Sequence, residues 1–327
     1  MAPTISIVLP VYNERENLEA LVSRLIPALR KAAGEDFEVL FVDDGSSDGS
    51  ADILDAFHAR DRRLKAVHFS RNFGHQAALQ AGLDEATGEA VILMDADLQD
   101  PPEVLGRFIE HWRQGYEVVY AVRKRRKEGL VKRAAYAAFY RTMRAIAEID
   151  VPLEAGDFCL LDRRVVDALV GLPERNRFLR GLRSWVGFKQ IGIEYERDAR
   201  HAGEPKYTLR KLVRLALSGY IGFSAMPLRA ATWLGFVSAS AGFVIALWAV
   251  ITKLVDIPSP RGWASTLALF LFVSGVQLFM LGVVGEYLSR VYDEVRNRPL
   301  YIVRSRTGIA GEVPVEEEAL VRRAPRG

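Results

Sequence analysis

The segment VILMDADLQDPPE, Val91 to Glu103, drives four apolar residues into Asp95, Ala96 and Asp97 and closes on two prolines and a glutamate. Carboxylates on alternate residues of an extended chain point to opposite sides of the backbone. Such a pair can reach around a small ion and makes a poor helix-face acid–base couple. Oxygen ligands with no His or Cys beside them suit Mg2+ or Mn2+ rather than zinc. Mg2+ keeps several waters and is commonly held by one or two carboxylates together with substrate phosphates. The economical expectation is a nucleoside diphosphate bound through a divalent metal. An Asp-x-Asp triplet alone is common on surfaces. Its place behind an apolar strand and ahead of Leu-Gln-Asp-Pro-Pro-Glu is what gives it weight.

Short apolar runs must carry these carboxylates. ISIVLP, FEVLFVDD, LKAVHFS, AVILMDAD and YEVVYAVR read as strands, and NLEALVSRLIPALRKAAG and DGSADILDAFHAR between them have helical spacing. This alternation over residues 1 to about 120 predicts a parallel sheet covered by helices on both faces. Ligands of such sheets bind beyond the carboxyl ends of the strands. Pro10-Val11-Tyr12-Asn13-Glu14, Asp43-Asp44-Gly45-Ser46 and Asp95-Ala96-Asp97 each stand at such an end, so three polar clusters converge on one crevice. Ser46, Ser47 or Asp48 would cap the helix after the second strand. Asp43 and Asp44 precede that turn, where a cap is not needed.

The 327 residues carry a net charge of +3. Residues 230–252 and 263–285 contain no charged side chain. Each run makes ~34 Å of helix, enough to cross a ~30 Å hydrocarbon core. Arg210, Lys211, Arg214 and Arg229 precede the first run and Arg290, Arg296 and Arg298 follow the second, while the loop between holds Lys253 and Arg261 against Asp256. The positive-inside bias therefore predicts two spans with both termini cytoplasmic. MAPTISIVLP has no basic leader and reads as a strand opening a domain. Two basic amphipathic stretches, about 130–148 and 207–225, have the composition of helices lying in the membrane interface. The expected division is a cytoplasmic domain over 1–228, a membrane hairpin over 229–290 and a cytoplasmic tail over 291–327, for which the sequence offers no task. The single cysteine, Cys159, excludes an internal disulfide and fits a reducing compartment.

The set PVYNE, VDDGSSDGS, SRNFGHQAALQAGL, DADLQDPPE, GDFCLLDR and RHAGEPKYTLRKL resembles the polyprenyl-phosphate glycosyltransferases of the inverting family 2 type, over about residues 4 to 303. The paired runs match the bacterial bactoprenol glucosyltransferase branch. The resemblance implies an α/β GT-A domain, nucleotide-sugar-binding and Rossmann-like, with interface helices and two C-terminal transmembrane helices. It implies that Asp95 and Asp97 bind metal and diphosphate, with Gln99 a further ligand. Pro10, Tyr12, Glu14 and Asp44 fall where the family holds the nucleoside; Asp43 stands beside them, and Arg71 is expected near the nucleotide. Asp157 occupies the position assigned as catalytic, and Asp97 joins it through the metal. Arg200 and Lys206 would meet acceptor or donor phosphates. Pro205 stands where the family has Ser, so a hydroxyl contact is lost there. A homotetramer is implied by analogy alone.

A polyprenyl phosphate has a second pKa near ~6, so at neutral pH it is already largely dianionic. It needs no general base. Asp157 is therefore expected to position acceptor-binding cations, to stabilise an oxocarbenium-like sugar, or to order its loop. What the site must overcome is repulsion between two anions. Arg123, Lys132, Arg133, Arg200 and Lys206 are the candidates to offset the acceptor's charge, and Mg2+ or Mn2+ would neutralise the departing diphosphate. Lys124 to Lys127 reads as a solvated or headgroup-binding run. His75 and His201 lack a partner at metal spacing and read as loop or hydrogen-bonding residues. UDP-glucose is the first-choice donor, with GDP-mannose and a UDP-aminoarabinose type open. A processive synthase is disfavoured by the missing Gln-x-x-Arg-Trp and extra spans. A nicotinamide dehydrogenase lacks its Gly-x-Gly-x-x-Gly, and the small net charge gives little support to nucleic-acid binding. A nucleotide-binding membrane scaffold is the rival of another class.

Overall fold

The computed structural model describes residues 3–123, 155–175, 177–195, 226–254 and 262–309. The expected interface helices lie outside the described residues, as do Lys132, Arg133, Arg200 and Lys206. Among the described residues, those up to Tyr195 together with 298–309 form one compact unit, and those from Met226 to Asn297 form another.

The first unit is built on an eight-stranded sheet. Its strands are β1 (Ile5–Val11), β2 (Phe37–Asp43), β3 (Leu64–Phe69), β4 (Ala90–Leu93), β5 (Val118–Arg123), β6 (Ala155–Asp162), β7 (Gln190–Tyr195) and β8 (Val303–Thr307), in the spatial order β7-β5-β6-β4-β1-β2-β3-β8. Strands β1 to β4 are parallel, as expected. The sheet as a whole is mixed, because two strands from beyond residue 120 enter it reversed. Strand β6 runs antiparallel between β4 and β5, and β8 runs antiparallel on the outer edge of β3. The sequence could not show this, because an antiparallel strand and a parallel one carry the same buried apolar run when both faces are covered.

Alternate residues of each strand feed two cores. Ile5, Ile7 and Leu9 of β1 join Val39 and Phe41 under α1 (Arg15–Ala33), α2 (Ser50–Arg60) and α4 (Leu105–Arg113). Val8, Leu40, Val42 and Val67 face the opposite way, under α3 (His75–Glu85), α5 (Arg163–Val170) and α6 (Leu179–Trp185). Helix α1 shows why the chain folds so. Leu18, Leu21, Leu25 and Leu29 recur at three- and four-residue spacing and are fully buried, each worth about 1.5–3 kcal/mol of burial. Helix α2 starts at Ser50 with Gly49 at its cap position, just past the expected Ser46, Ser47 or Asp48. Asp48 instead receives the Ser50 amide and hydroxyl.

The second unit contains α7 (Met226–Leu254) and α8 (Trp263–Arg296). Large apolar side chains stand exposed along both, including Trp233, Phe236 and Phe243 on α7 and Phe270, Phe272 and Phe279 on α8. Among the described residues, Phe272–Arg296 is long and apolar enough to cross a membrane. Helix α8 runs past the expected end of the second span at residue 285. The tail expected from residue 291 is not one piece either: Val303–Thr307 returns to the first unit as β8.

Candidate active site

The insertion of β6 decides where Asp157 lies. Its ladder with β4 pairs Ala90 with Asp162 and Leu93 with Cys159. Continuing that register by two residues sets Asp95 opposite Asp157. Because β6 is reversed, its first residues lie at the edge where β1, β2 and β4 end. Motifs about sixty residues apart in sequence thus meet at one sheet edge.

Two basic residues hold that meeting together. Arg180, from α6, grips Asp157 with Nε at 2.7 Å from Oδ1 and a terminal nitrogen at 2.8 Å from Oδ2. Such a two-point grip suits the guanidinium fork. His75, the first residue of α3, places Nε2 3.4 Å from Asp157 Oδ2 and 3.8 Å from Asp95 Oδ1. Burial works against the charge on Asp157, but the bonds from Arg180 and His75 outweigh it and hold its carboxyl well below the usual range. Burial likewise opposes a charged His75, yet Asp157 and Asp95 raise its pKa above the ordinary imidazole value. Asp95 has no such grip. Burial, with Asp100, Asp157 and Asp97 nearby and His75 only partly offsetting them, pushes its pKa up to about 6.

Asp97 is buried, and its Oδ1 accepts the Gln99 amide at 3.1 Å across the turn at Leu98, whose φ is +60°. Asp100 is buried too, and takes the Tyr195 hydroxyl at 2.5 Å. Among the described residues, no group of three or more His, Cys, Asp or Glu is arranged to hold a metal unaided. Asp95 and Asp97 are nevertheless an all-oxygen pair in an acidic pocket, the donor chemistry that suits a hard cation completing its shell with water and phosphate. They fit the expected Mg2+ or Mn2+.

The second and third loops are tied together by the aspartate pair. Asp43 is fully buried; its Oδ1 accepts the Ser46 amide at 2.9 Å and its Oδ2 lies 3.2 Å from His68 Nδ1. Asp44 accepts the Phe73 amide at 2.6 Å and the Gly74 amide at 3.0 Å, pulling the SRNFG loop against the end of β2. Desolvation raises the Asp44 pKa despite those amides. Between them Gly45 has φ +70°, and a Cβ there would come within 2.5 Å of the Arg71 carbonyl carbon. Only glycine allows that approach. Pro10 lies in β1 beside Val42, Tyr12 stands exposed, and Glu14 receives the Asn17 amide group at 2.6 Å. Arg71 sits with its guanidinium 4.0 Å from the Phe73 ring centre. Arg123 closes β5, in register with Tyr195 of β7.

Sequence reasoning missed Arg180, Arg183, His68 and the Tyr195–Asp100 bond. Arg183 is buried, donates weakly to Gly156, the residue before Asp157, and lies 5.0 Å from the Tyr120 ring centre. A signal was present in LRGLRSW, where two arginines at helical i, i+3 spacing alternate with leucines. The sequence presents His75 as a loop or hydrogen-bonding residue; its approach to Asp95 and Asp157 is visible only in the structure.

Residues 6–170 match the model of glycosyl transferase family 2, and residues 226–291 match that of the GtrB C-terminal hairpin. The chain is 47% identical over 305 residues to the uncharacterized glycosyltransferase YkcC of Bacillus subtilis (strain 168), covering 93% of this chain and 94% of that one. It is 44% identical over 313 residues to the uncharacterized glycosyltransferase sll0501 of Synechocystis sp., covering 94% and 97%. It is 41% identical over 301 residues to the bactoprenol glucosyl transferase of Shigella phage SfII, covering 92% and 97%. The reversed β6, the Asp95–Asp97 edge and the Asp43–Asp44 loop all lie within the matched region, and the chain belongs to glycosyl transferase family 2.

Proposed function

We propose that this glycosyltransferase moves glucose from UDP-glucose to a polyprenyl phosphate at the cytoplasmic face of the membrane, inverting the anomeric centre. The observation that carries the reading is the meeting of Asp95, Asp97 and Asp157 at the carboxyl edge of a sheet in a chain 41% identical to a bactoprenol glucosyl transferase. Asp95 and Asp97, with Gln99, would hold Mg2+ or Mn2+. When bound, that ion supplies positive charge to the diphosphate leaving group. Pro10, Tyr12, Glu14, Asp44 and Arg71 line the nucleotide's place, and Asp43 shapes the loop that carries it. Arg123, Lys132, Arg133, Arg200 and Lys206 are proposed for the acceptor phosphate.

Asp157 serves this chemistry as a fixed charge. Its carboxylate is already committed to Arg180 and His75 and binds protons weakly, so it is a poor base, and a phosphate dianion requires none. It holds the Arg180 guanidinium and the His75 imidazole in place, and Arg180 brings a fixed positive charge toward the reacting phosphates. The exposed aromatic faces of α7 and α8 support a two-span hairpin in lipid, and the basic residues flanking it support cytoplasmic termini. An isoprenoid leaves the bilayer only at ~0.8 kcal/mol per CH2, so the enzyme must meet the phosphate at the surface.

The donor is tested by offering labelled UDP-glucose, GDP-mannose and UDP-4-amino-4-deoxyarabinose with undecaprenyl phosphate and Mn2+, and counting label in the lipid phase. Preference for UDP-glucose with a β-linked product supports the reading. Preference for another donor overturns the sugar, and an α-linked product from an α-linked donor overturns the inversion.

A further inference from the structure

The chain returns from α8 to the first unit and adds a strand far from Asp95 and Asp157. Its anchors are specific. The Tyr301 hydroxyl donates to Asp84 at 2.6 Å while its ring stacks on Phe69 with centres 5.0 Å apart. Arg306 pairs with Glu85 at 2.9 Å, and the Thr307 hydroxyl donates to Asp55 on α2 at 2.6 Å.

Asp55, half exposed on α2, is one end of a chain of polar groups whose centre, His68 and Asp43, is buried. His68 of β3, 1% exposed, lies between two carboxylates: Nε2 is 3.2 Å from Asp55 Oδ1 and Nδ1 is 3.2 Å from Asp43 Oδ2. Asp43 and His68 are a direct cross-strand pair. With both ring nitrogens facing carboxylates, the imidazole satisfies them only by donating from both, as the cation. Asp43 in turn fixes the Ser46 amide, and Ser46 Oγ accepts the Asn13 amide at 3.0 Å. The series Thr307–Asp55–His68–Asp43–Ser46–Asn13 therefore links the returning strand to both loops assigned to the nucleotide. At the buried His68–Asp43 pair, apolar groups would serve stability as well.

We infer that the returning strand β8 is a positioning element of the nucleotide site, acting through His68. This rests on the nucleotide reading of the Tyr12–Glu14 and Asp43–Ser46 loops. Thr307 deletes one bond when replaced, and His68 the centre of the series.

The test uses the full chain in lipid nanodiscs. UDP binding with Mn2+ is measured by calorimetry, and donor KM and kcat by transfer from UDP-glucose, for Thr307→Val, His68→Gln and the exposed-strand control Arg304→Ala. The expected result is UDP affinity about 3- to 10-fold weaker in the first two, as befits the loss of one or two charge-assisted bonds. Donor KM rises in step, with kcat and acceptor KM near those of the unaltered protein and Arg304→Ala silent; His68→Gln also lowers the melting temperature, since it leaves Asp43 buried without its partner, whereas Thr307→Val, at the half-exposed end, leaves it unchanged. A lower melting temperature with unchanged donor KM would mean the series only stabilises the fold and would overturn the inference. Unaltered UDP binding in both variants would overturn it too, while leaving the nucleotide reading intact. Failure of the unaltered protein to bind UDP would sink both.

Discussion

At the scale of single residues, the site separates four aspartates by what holds them. Asp157 is neutralised by Arg180 and His75, Asp43 by His68 and an amide, and Asp44 by two amides. Asp95 has no such grip, and burial beside other carboxylates pushes its pKa up to about 6. A group whose proton is held up to that pH must lose it before a cation binds. Mn2+ affinity is therefore expected to be flat above pH 7 and to fall toward tenfold per unit below about 6, as Mn2+ titrations at stepped pH would read. Asp97→Asn should lower transfer by about 100-fold or more, since one carboxylate of a two-carboxylate site is lost. Arg180→Ala leaves Asp157 buried without its strongest partner. Its expected cost is about 1–3 kcal/mol of stability by denaturant titration, with a fall in kcat that Arg180→Lys restores only in part because lysine cannot grip both oxygens.

At the scale of elements, β1 to β4, α1 and α2 were legible because their apolar runs and helical spacing are strong and their polar ends unmistakable. The reversal of β6 was not legible. GDFCLLD is a motif rather than one of the runs the sequence presents as strands, and only the sheet shows that Asp157, third residue of β6, lies beside Asp95. The fate of Val303–Thr307 was hidden for a similar reason: VRSRT is charged, as edge strands often are, and reads as tail. Loops carry the sharper constraint. Gly45 combines φ +70° with a neighbour that a Cβ would strike, so Gly45→Ala should destabilise by about 2 kcal/mol or more and weaken UDP binding together with it. Thermal melts with and without UDP would show both, and a silent substitution would mean that the two loops can part without consequence.

At the scale of the whole molecule, a nucleotide-binding sheet and two apolar helices belong to one reaction between a soluble donor and a lipid acceptor. The helices were legible as uncharged runs. Their length past residue 285 was not, because Glu286 and Arg290 interrupt the apolar pattern while remaining good helix formers that pair at i, i+4. An anionic phosphate attacking a sugar whose leaving group is also anionic calls for a bound cation. The direct measurement is the rate of lipid-phase labelling from UDP-glucose and undecaprenyl phosphate after chelator has stripped bound ions, then after Mn2+ or Mg2+ is restored. The account expects transfer to fall by about 100-fold or more and to return with the metal; undiminished turnover in excess chelator would contradict it.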